Sequence, residues 1–167
     1  MNILHLSKDN LKFSAAHFLI FDSQKAERLH GHNYKVSVQF YIDAVVCQKN
    51  GYGVDFGVLK SIIKQIVDRW DERVLLPQMH PDFEFKEEGR HLKVNFRDRI
   101  YQFPKDEVIL LPIVNTSVEM LSSLLAHDLW LLVKNMDVLG VRVEVEETVG
   151  QSGSSFFGEK NIEGVLC

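Results

Sequence analysis

From Tyr34 to Ile42 the chain alternates with a period of two. Tyr34, Val36, Val38, Phe40 and Ile42 lie on one side, and Lys35, Ser37 and Gln39 on the other. That period belongs to a strand with one buried face and excludes an amphipathic helix over the same residues. Tyr41 is the one aromatic residue on the polar side. Leu11, Phe13 and Ala15 share a parity near the start, with Lys12 and Ser14 opposite. Val141, Val143 and Val145 repeat the pattern near the end, with Arg142, Glu144 and Glu146 on the other face.

Between these strands the period changes. Asp55 is placed to cap a helix in which Phe56, Leu59, Ile62, Ile63, Ile66, Val67 and Trp70 form one apolar stripe. Thr116 to Glu119 reads as a capping box, with Thr116 as the N-cap, ahead of a long apolar helix through Leu132. Leu75-Leu76-Pro77 reads as the end of the first helical unit. The stretch 78–112 is charged and carries Pro81, Gly89, Pro104 and Pro112. Leu92, Val94 and Phe96 alternate within it, and Ile109-Leu110-Leu111 reads as a short strand. It is too short for a core of its own and is expected to be an insertion in a single domain covering 1–167. The order β-β-α-(insert)-α-β, with one more strand allowed in the Gly/Ser-rich tail, predicts an α+β fold with a largely antiparallel sheet.

The 167 residues suit one domain at about 100–200 residues each. Such a chain needs neither disulfide nor metal merely to fold. Lys and Arg number 19 against 23 Asp and Glu, a net charge of 19 − 23 = −4. With no basic run, binding to nucleic acid or an anionic membrane by bulk charge is disfavoured. No apolar run approaches the roughly 18 residues of a membrane-spanning helix. Met1 to His5 lacks the layout of a signal peptide, and Cys47 and Cys167 do not suggest a disulfide framework. A reducing cytoplasm is expected.

Parity singles out four polar residues on the core-facing side. His17 continues Leu11, Phe13 and Ala15; His30 and His32 continue Tyr34 and Val36 backwards; Glu147 continues Val141 to Val145. His30-Gly31-His32 puts two imidazoles on one strand face, and Gly31 would permit close backbone approach. A third histidine from a neighbouring strand would complete a three-histidine set. Three protein ligands leave one position open, the mark of a catalytic zinc. A core histidine beside a loop would give the same pattern. Glu147, if it holds its phase, needs a cationic or multiple-donor partner such as a guanidine-like ring edge; otherwise it extends an acidic patch with Glu144 and Glu146.

These residues carry a resemblance. Phe13-Ser14-Ala15-Ala16-His17, Glu27 to Tyr34, Val54 to Lys60, Asn115 to Glu119 and Glu147-Thr148 look like the 6-pyruvoyltetrahydropterin synthase / 6-carboxytetrahydropterin synthase family, in the family's order and across most of the chain. The resemblance implies a tunnelling fold: a four-stranded antiparallel sheet with two helices on one face, assembled into trimeric barrels, usually paired into hexamers. Active sites then lie between subunits. It implies that His17, His30 and His32 bind Zn2+ and that Glu147 anchors the pyrimidine edge of a pterin substrate. Ser117 and Thr148 are expected beside that substrate.

The chain departs from the family at its catalytic residues. Ala26 stands where the synthases carry a cysteine, and Glu72 follows Asp71 where they carry a histidine. Glu27, three residues before His30, resembles the Glu-x-x-His-Gly-His arrangement of members that act as dihydroneopterin aldolases. This reading makes Glu27 the base of a zinc-dependent lyase acting on the side chain of 7,8-dihydroneopterin or its triphosphate, giving 6-hydroxymethyl-7,8-dihydropterin for folate synthesis. Asp71 and Glu72 would form a proton-shuttling carboxylate pair; a polar helix end paired with Arg69 and Arg73 is the other reading. The alternatives for the whole protein are a synthase with an altered proton relay and a pterin-binding protein without catalysis.

Overall fold

The computed structural model describes residues 1–159. Strands β1 (Asn2–Leu6), β2 (Lys12–His17) and β3 (His30–Ile42) come first. Helices α1 (Ala44–Asn50) and α2 (Phe56–Asp68) precede β4 (Arg73–Pro77). A meander of β5 (Phe83–Glu88), β6 (His91–Phe96) and β7 (Arg99–Pro104) leads to β8 (Val108–Leu111). Helix α3 (Val118–Val133), β9 (Val138–Thr148) and β10 (Gln151–Gly158) complete the chain.

The expected antiparallel core of the sheet is present as β2-β3-β9-β10. The sheet is wider than four strands. It has seven, in the order β10-β9-β3-β2-β4-β8, with β1 also paired to β3. β1 runs antiparallel to the far half of β3, from Val38 to Ile42, while β2 pairs with the near half. β4 and β8 add parallel to β2. Leu75-Leu76-Pro77 is therefore strand rather than the end of a helical unit. A strand apolar on both faces has no period of two to announce it: Leu75 enters the main core and Leu76 a second one.

The main core lies between the sheet and the two long helices. Phe13, Tyr34, Val36, Val38, Phe40, Val141, Val143 and Val145 project from the strands. Leu59, Ile63, Ile66 and Val67 of α2 meet them, with Leu121, Leu125, Leu129 and Val133 of α3. The caps are specific. The Asp55 carboxylate accepts from Gly57 N at 2.6 Å. The N-cap of α3 is Ser117, whose hydroxyl accepts from Met120 N at 3.4 Å, and not Thr116. Thr116 is fully buried, and its hydroxyl is engaged away from the helix, donating to Phe18 O at 3.1 Å and lying 3.3 Å from His17 Nδ1.

Tyr41, on the polar parity, is nevertheless 2 % exposed. Its ring meets Phe156 edge-on with centroids 5.3 Å apart. Gly140, its partner on β9, leaves the space: a Cβ there would lie 2.5 Å from the Phe156 ring.

The stretch 78–112 divides in two. Val108 to Leu111 belongs to the main sheet, and β5-β6-β7 form a separate three-stranded sheet. The latter is too small to enclose a core alone. It shares one: Phe83, Leu92, Val94 and Phe96 pack with Leu76 and with Phe18 and Ile20 of the segment after β2, and Ala26 and Leu29 lie against them. No helix among the described residues is long and apolar enough to cross a membrane.

Candidate active site

Strand register brings the histidines together. His17 ends β2 directly opposite His30, and Ala15 opposes His32. One ligand atom from each of the three histidines falls within a 4.8 Å cluster. The His17 and His30 rings are tilted by 52° with centroids 4.9 Å apart, and His30 meets His32 edge to face at 4.7 Å. Gly31 is not required for backbone approach, because a Cβ there would lie 3.5 Å from Ala15 O, an ordinary contact.

The outer nitrogens fix the tautomers. His17 Nδ1 donates to Thr116 O at 3.1 Å, with the Thr116 hydroxyl at 3.3 Å, and His30 Nδ1 donates to Arg28 O at 2.8 Å. A carbonyl can only accept, so each Nδ1 carries the proton, and in the neutral ring Nε2 is the nitrogen that presents a lone pair. Burial holds the His17 pKa below its usual value, against the opposing pull of Glu147, so the ring is neutral. His30 Nε2 and His32 Nε2 face one another at 2.8 Å, a spacing that calls for a shared proton or cation.

His17 Nε2 is fully enclosed and makes no hydrogen bond, although Glu147 Oε1 lies 3.1 Å away. Without a proton on Nε2 that approach is not a bond. An orphaned buried lone pair, two more imidazole nitrogens beside it and carbonyls on the outer nitrogens are the donor set of a histidine-bound metal. The cluster can hold a metal ion, and its residues fit one.

Glu147 sits at the inner wall. Its Oε1 accepts from the Tyr34 hydroxyl at 3.1 Å and lies 3.8 Å from His32 Nε2. Burial, then the adjacent carboxylate, raises the Tyr34 pKa, so the phenol stays a donor. Tyr34 stacks on Phe13 at 4.7 Å, with Trp70 edge-on to Phe13 at 5.4 Å. Glu27 reaches the site from the loop before β3. Its Oε2 lies 3.8 Å from His30 Nε2 and accepts from Leu19 N at 3.0 Å. The Glu27 side chain is 31 % exposed, open enough to meet a ligand.

Asp71 and Glu72 do not join this group. Asp71 Oδ1 accepts from Ser14 N at 2.7 Å, and Glu72 N donates to Ser14 O at 2.7 Å. The ion pairs expected with Arg69 and Arg73 are also absent among the described residues; Arg69 reaches Asp128 instead. Glu72 holds a left-handed backbone, φ 56°, an unusual conformation for a side-chain-bearing residue. It lines a groove of about 380 Å³ with Ser14, Gly31, His32, Asn33 and Arg73. Ser117 caps α3, and the Thr148 hydroxyl donates to Gln151 Oε1 at 3.0 Å within its own hairpin.

Sequence reasoning missed two supporting residues. Thr116 is legible only as a cap, and its buried contact with His17 spans 99 positions. Arg99, from β7, donates to Glu27 O and to Ala26 O, the latter at 3.2 Å; nothing in the local pattern marks it.

Known proteins match this chain over most of its length. Residues 6–155 match the family described as 6-pyruvoyl tetrahydropterin synthase. A putative 6-carboxy-5,6,7,8-tetrahydropterin synthase from Methanocaldococcus jannaschii is 30 % identical over 154 residues, 90 % of this chain and 91 % of that protein. The 6-carboxy-5,6,7,8-tetrahydropterin synthase of Rickettsia typhi is 30 % identical over 54 % of this chain and 62 % of its own. The 6-pyruvoyl tetrahydropterin synthase of Plasmodium falciparum superposes with a TM-score of 0.82 at 25 % identity, covering 95 % of this chain and 98 % of that one. A Plasmodium vivax synthase gives a TM-score of 0.83 at 25 % identity over the same shares, in a variant where a glutamate described as a catalytic residue is replaced by alanine. With residues 6–155 matched by the family and nine-tenths of its length by a relative 30 % identical, this chain belongs to the 6-pyruvoyl tetrahydropterin synthase family.

Proposed function

We propose that the chain is a zinc-dependent lyase that cleaves the side chain of 7,8-dihydroneopterin or its triphosphate, with Glu27 as the base. The observation that carries this reading is the Glu27 carboxylate 3.8 Å from His30 Nε2, next to Ala26. Among the described residues no thiol stands near it: Cys47 follows the far end of β3, about 40 Å along the strand from His30 at ~3.3 Å per residue. That a glutamate is called catalytic in the Plasmodium vivax protein adds weight.

His17, His30 and His32 would hold the metal through Nε2. When bound, zinc supplies a Lewis acid that lowers the pKa of the side-chain hydroxyls. Glu147 orients the pterin by accepting two N–H bonds from its pyrimidine edge, with Ser117 and Thr148 at the rim. Glu27 takes the proton of the C2′ hydroxyl, the C1′–C2′ bond breaks, and its electron pair enters the conjugated C6=N5 system. A proton returned to C1′ gives 6-hydroxymethyl-7,8-dihydropterin, with glycolaldehyde as the second product from dihydroneopterin. Asp71 and the Glu72 backbone bond Ser14, and neither residue is among the partners of Glu27, so we assign them to the site of a neighbouring copy in a homo-oligomer. Mixing Glu27→Ala and Glu72→Ala chains then restores activity that neither has alone.

A second reading is a 6-carboxytetrahydropterin-type synthase with an altered relay, favoured by the names of the curated relatives. Incubating the zinc-loaded protein with dihydroneopterin and its triphosphate, with products identified by mass, separates the readings. Glycolaldehyde with the hydroxymethyl product supports the lyase. Conversion of the triphosphate alone, with triphosphate release or side-chain removal, supports the synthase. Tight binding with no turnover of either leaves a non-catalytic pterin-binding protein.

A further inference from the structure

His17, His30 and His32 stand on paired residues of β2 and β3, and Glu147 follows Glu146, the β9 residue that pairs with Lys35. Glu27 stands on no strand. It lies between β2 and β3, in the segment 18–29, where the only strand-like pairing is a single bridge between Ile20 and Ala26. Within that segment Glu27 N donates to Leu19 O at 2.9 Å, and the carboxylate accepts from Leu19 N. These bonds tie the base to a loop that itself needs holding.

The three-stranded sheet supplies the hold. The Arg99 guanidinium forks onto two successive carbonyls, Ala26 O and Glu27 O. It lies near the rings of Phe18 and Phe96, with centroids 5.8 and 5.7 Å away. Ala26 and Leu29, on either side of Glu27, pack into the same aromatic cluster. Arg97 grips the loop further out, donating to Asp22 O at 2.6 Å and to Asp82 at 2.7 Å. The carbonyl after Glu27, that of Arg28, is the one that takes the His30 Nδ1 proton. The peptide run 26–28 thus links Arg99, Glu27 and the His30 tautomer.

We infer that Arg99 is a positioning residue for Glu27, and that the sheet formed by β5, β6 and β7 sets the base in place from outside the pterin-binding strands. This rests on Glu27 being the base. Arg99 bonds two carbonyls of the loop and lies against Phe18 and Phe96, none of them on the strands that carry the histidines and Glu147, so its loss leaves those groups where the strands put them. A displaced carboxylate reduces turnover without weakening binding, and misplacement by an ångström costs on the order of a hundredfold.

The test compares the full-length zinc-loaded protein with Arg99→Met, Arg99→Lys and, as a control on the same strand, Ile100→Ser, whose side chain is 70 % exposed. Arg99→Met lowers kcat by about tenfold to a hundredfold. The KM for the pterin and the bound zinc stay within about twofold of the parent, and Ile100→Ser changes neither. Arg99→Lys, which can serve one carbonyl well but not the fork, falls between. Added guanidinium ion partly restores Arg99→Met. Hydrogen exchange reports independently of turnover: the Leu19 and Glu27 amides exchange faster in Arg99→Met, while those of β3 and β9 do not. Unchanged kcat and unchanged Leu19 and Glu27 exchange in both Arg99 variants overturn the inference, as does a loss of zinc or a rise in KM that accounts for the lost activity. If Arg99→Met does not fold, the same readouts on Arg99→Lys decide. Should Glu27→Gln retain full turnover while Arg99→Met still frees the two amides, it is the base assignment that fails and not the clasp.

Discussion

Thr116→Val tests how His17 is held. Thr116 has no exposed surface, and its hydroxyl proton goes to Phe18 O at 3.1 Å. The same oxygen lies 3.3 Å from His17 Nδ1, whose better acceptor is the Thr116 carbonyl at 3.1 Å. Valine keeps the shape and the carbonyl. It removes one full buried hydrogen bond and one weak branch, and leaves the Phe18 carbonyl short of a donor. The cost is about 1–2 kcal/mol, which for a domain of this size lowers Tm by roughly 3–6 °C. Because the backbone carbonyl still fixes the tautomer, zinc affinity falls by no more than about tenfold, the low end for a residue behind a metal ligand. Thermal unfolding with and without chelator, and a competitive zinc titration, measure the two effects separately. Thr116→Ser retains the hydroxyl and nearly the parent values in both. A Thr116→Val protein of unchanged stability, or one whose zinc affinity falls more than about a hundredfold, refutes the division of labour between hydroxyl and carbonyl.

Three further outcomes are expected. Glu147→Gln replaces the acceptor-only carboxylate and weakens pterin binding by about 10- to 100-fold through the lost charge-assisted bonds, with bound zinc unchanged by elemental analysis; equal pterin affinity in calorimetry would count against the anchor. Ser117→Ala removes the α3 cap, at about 1 kcal/mol in urea unfolding. The Ser117 hydroxyl also holds the Glu119 pKa below its usual value. The stabilisation from that interaction is present above the ordinary carboxylate pKa and lost as pH falls through the lowered one, and an NMR titration of Ser117→Ala sees Glu119 return upward. Phe96→Ala opens the cluster shared by Phe18, Phe83 and Val94 and costs roughly 3–5 kcal/mol; a loss under about 1 kcal/mol in the same urea assay would mean that the three-stranded sheet is not anchored there.

The site is legible where side-chain direction follows from strand phase. His17, His30, His32 and Glu147 can be found from parity because each continues an apolar series; β2 and β3 hold the histidines in register, and Glu147 directly follows the β9 residue paired with Lys35. Glu27 is found by resemblance, since a loop residue has no phase. β1 escapes because Asn2–Leu6 is mostly exposed and shows no clean alternation. β4 escapes because both its faces are buried. The α3 cap falls one position early in the sequence: local spacing allows either Thr116 or Ser117, and the distant contacts of the Thr116 hydroxyl with Phe18 O and His17 Nδ1 are invisible to it. Arg99 bonds residues 72 and 73 positions away, and no local pattern reports a contact of that kind.

Two supports with different mechanics therefore meet at one site. The metal and pterin groups are fixed by sheet register over the Phe13–Tyr34 stack, deep in the main core. Shifting a strand by one residue would turn its set to the other face, so these groups move together or not at all. Glu27 is fixed by a second core, joined to the first through β4, whose Leu75 and Leu76 face opposite ways. Damage to the second core should then appear first in kcat, while ligand affinity persists until β4 itself yields. A graded series in that core, Leu92→Val, Val94→Ala and Phe96→Leu, would lose turnover in order of the volume removed, at constant pterin affinity. If affinity and turnover instead fall together from the mildest member onward, the two cores are one mechanical unit, and the base is held by general stability rather than by its own clasp.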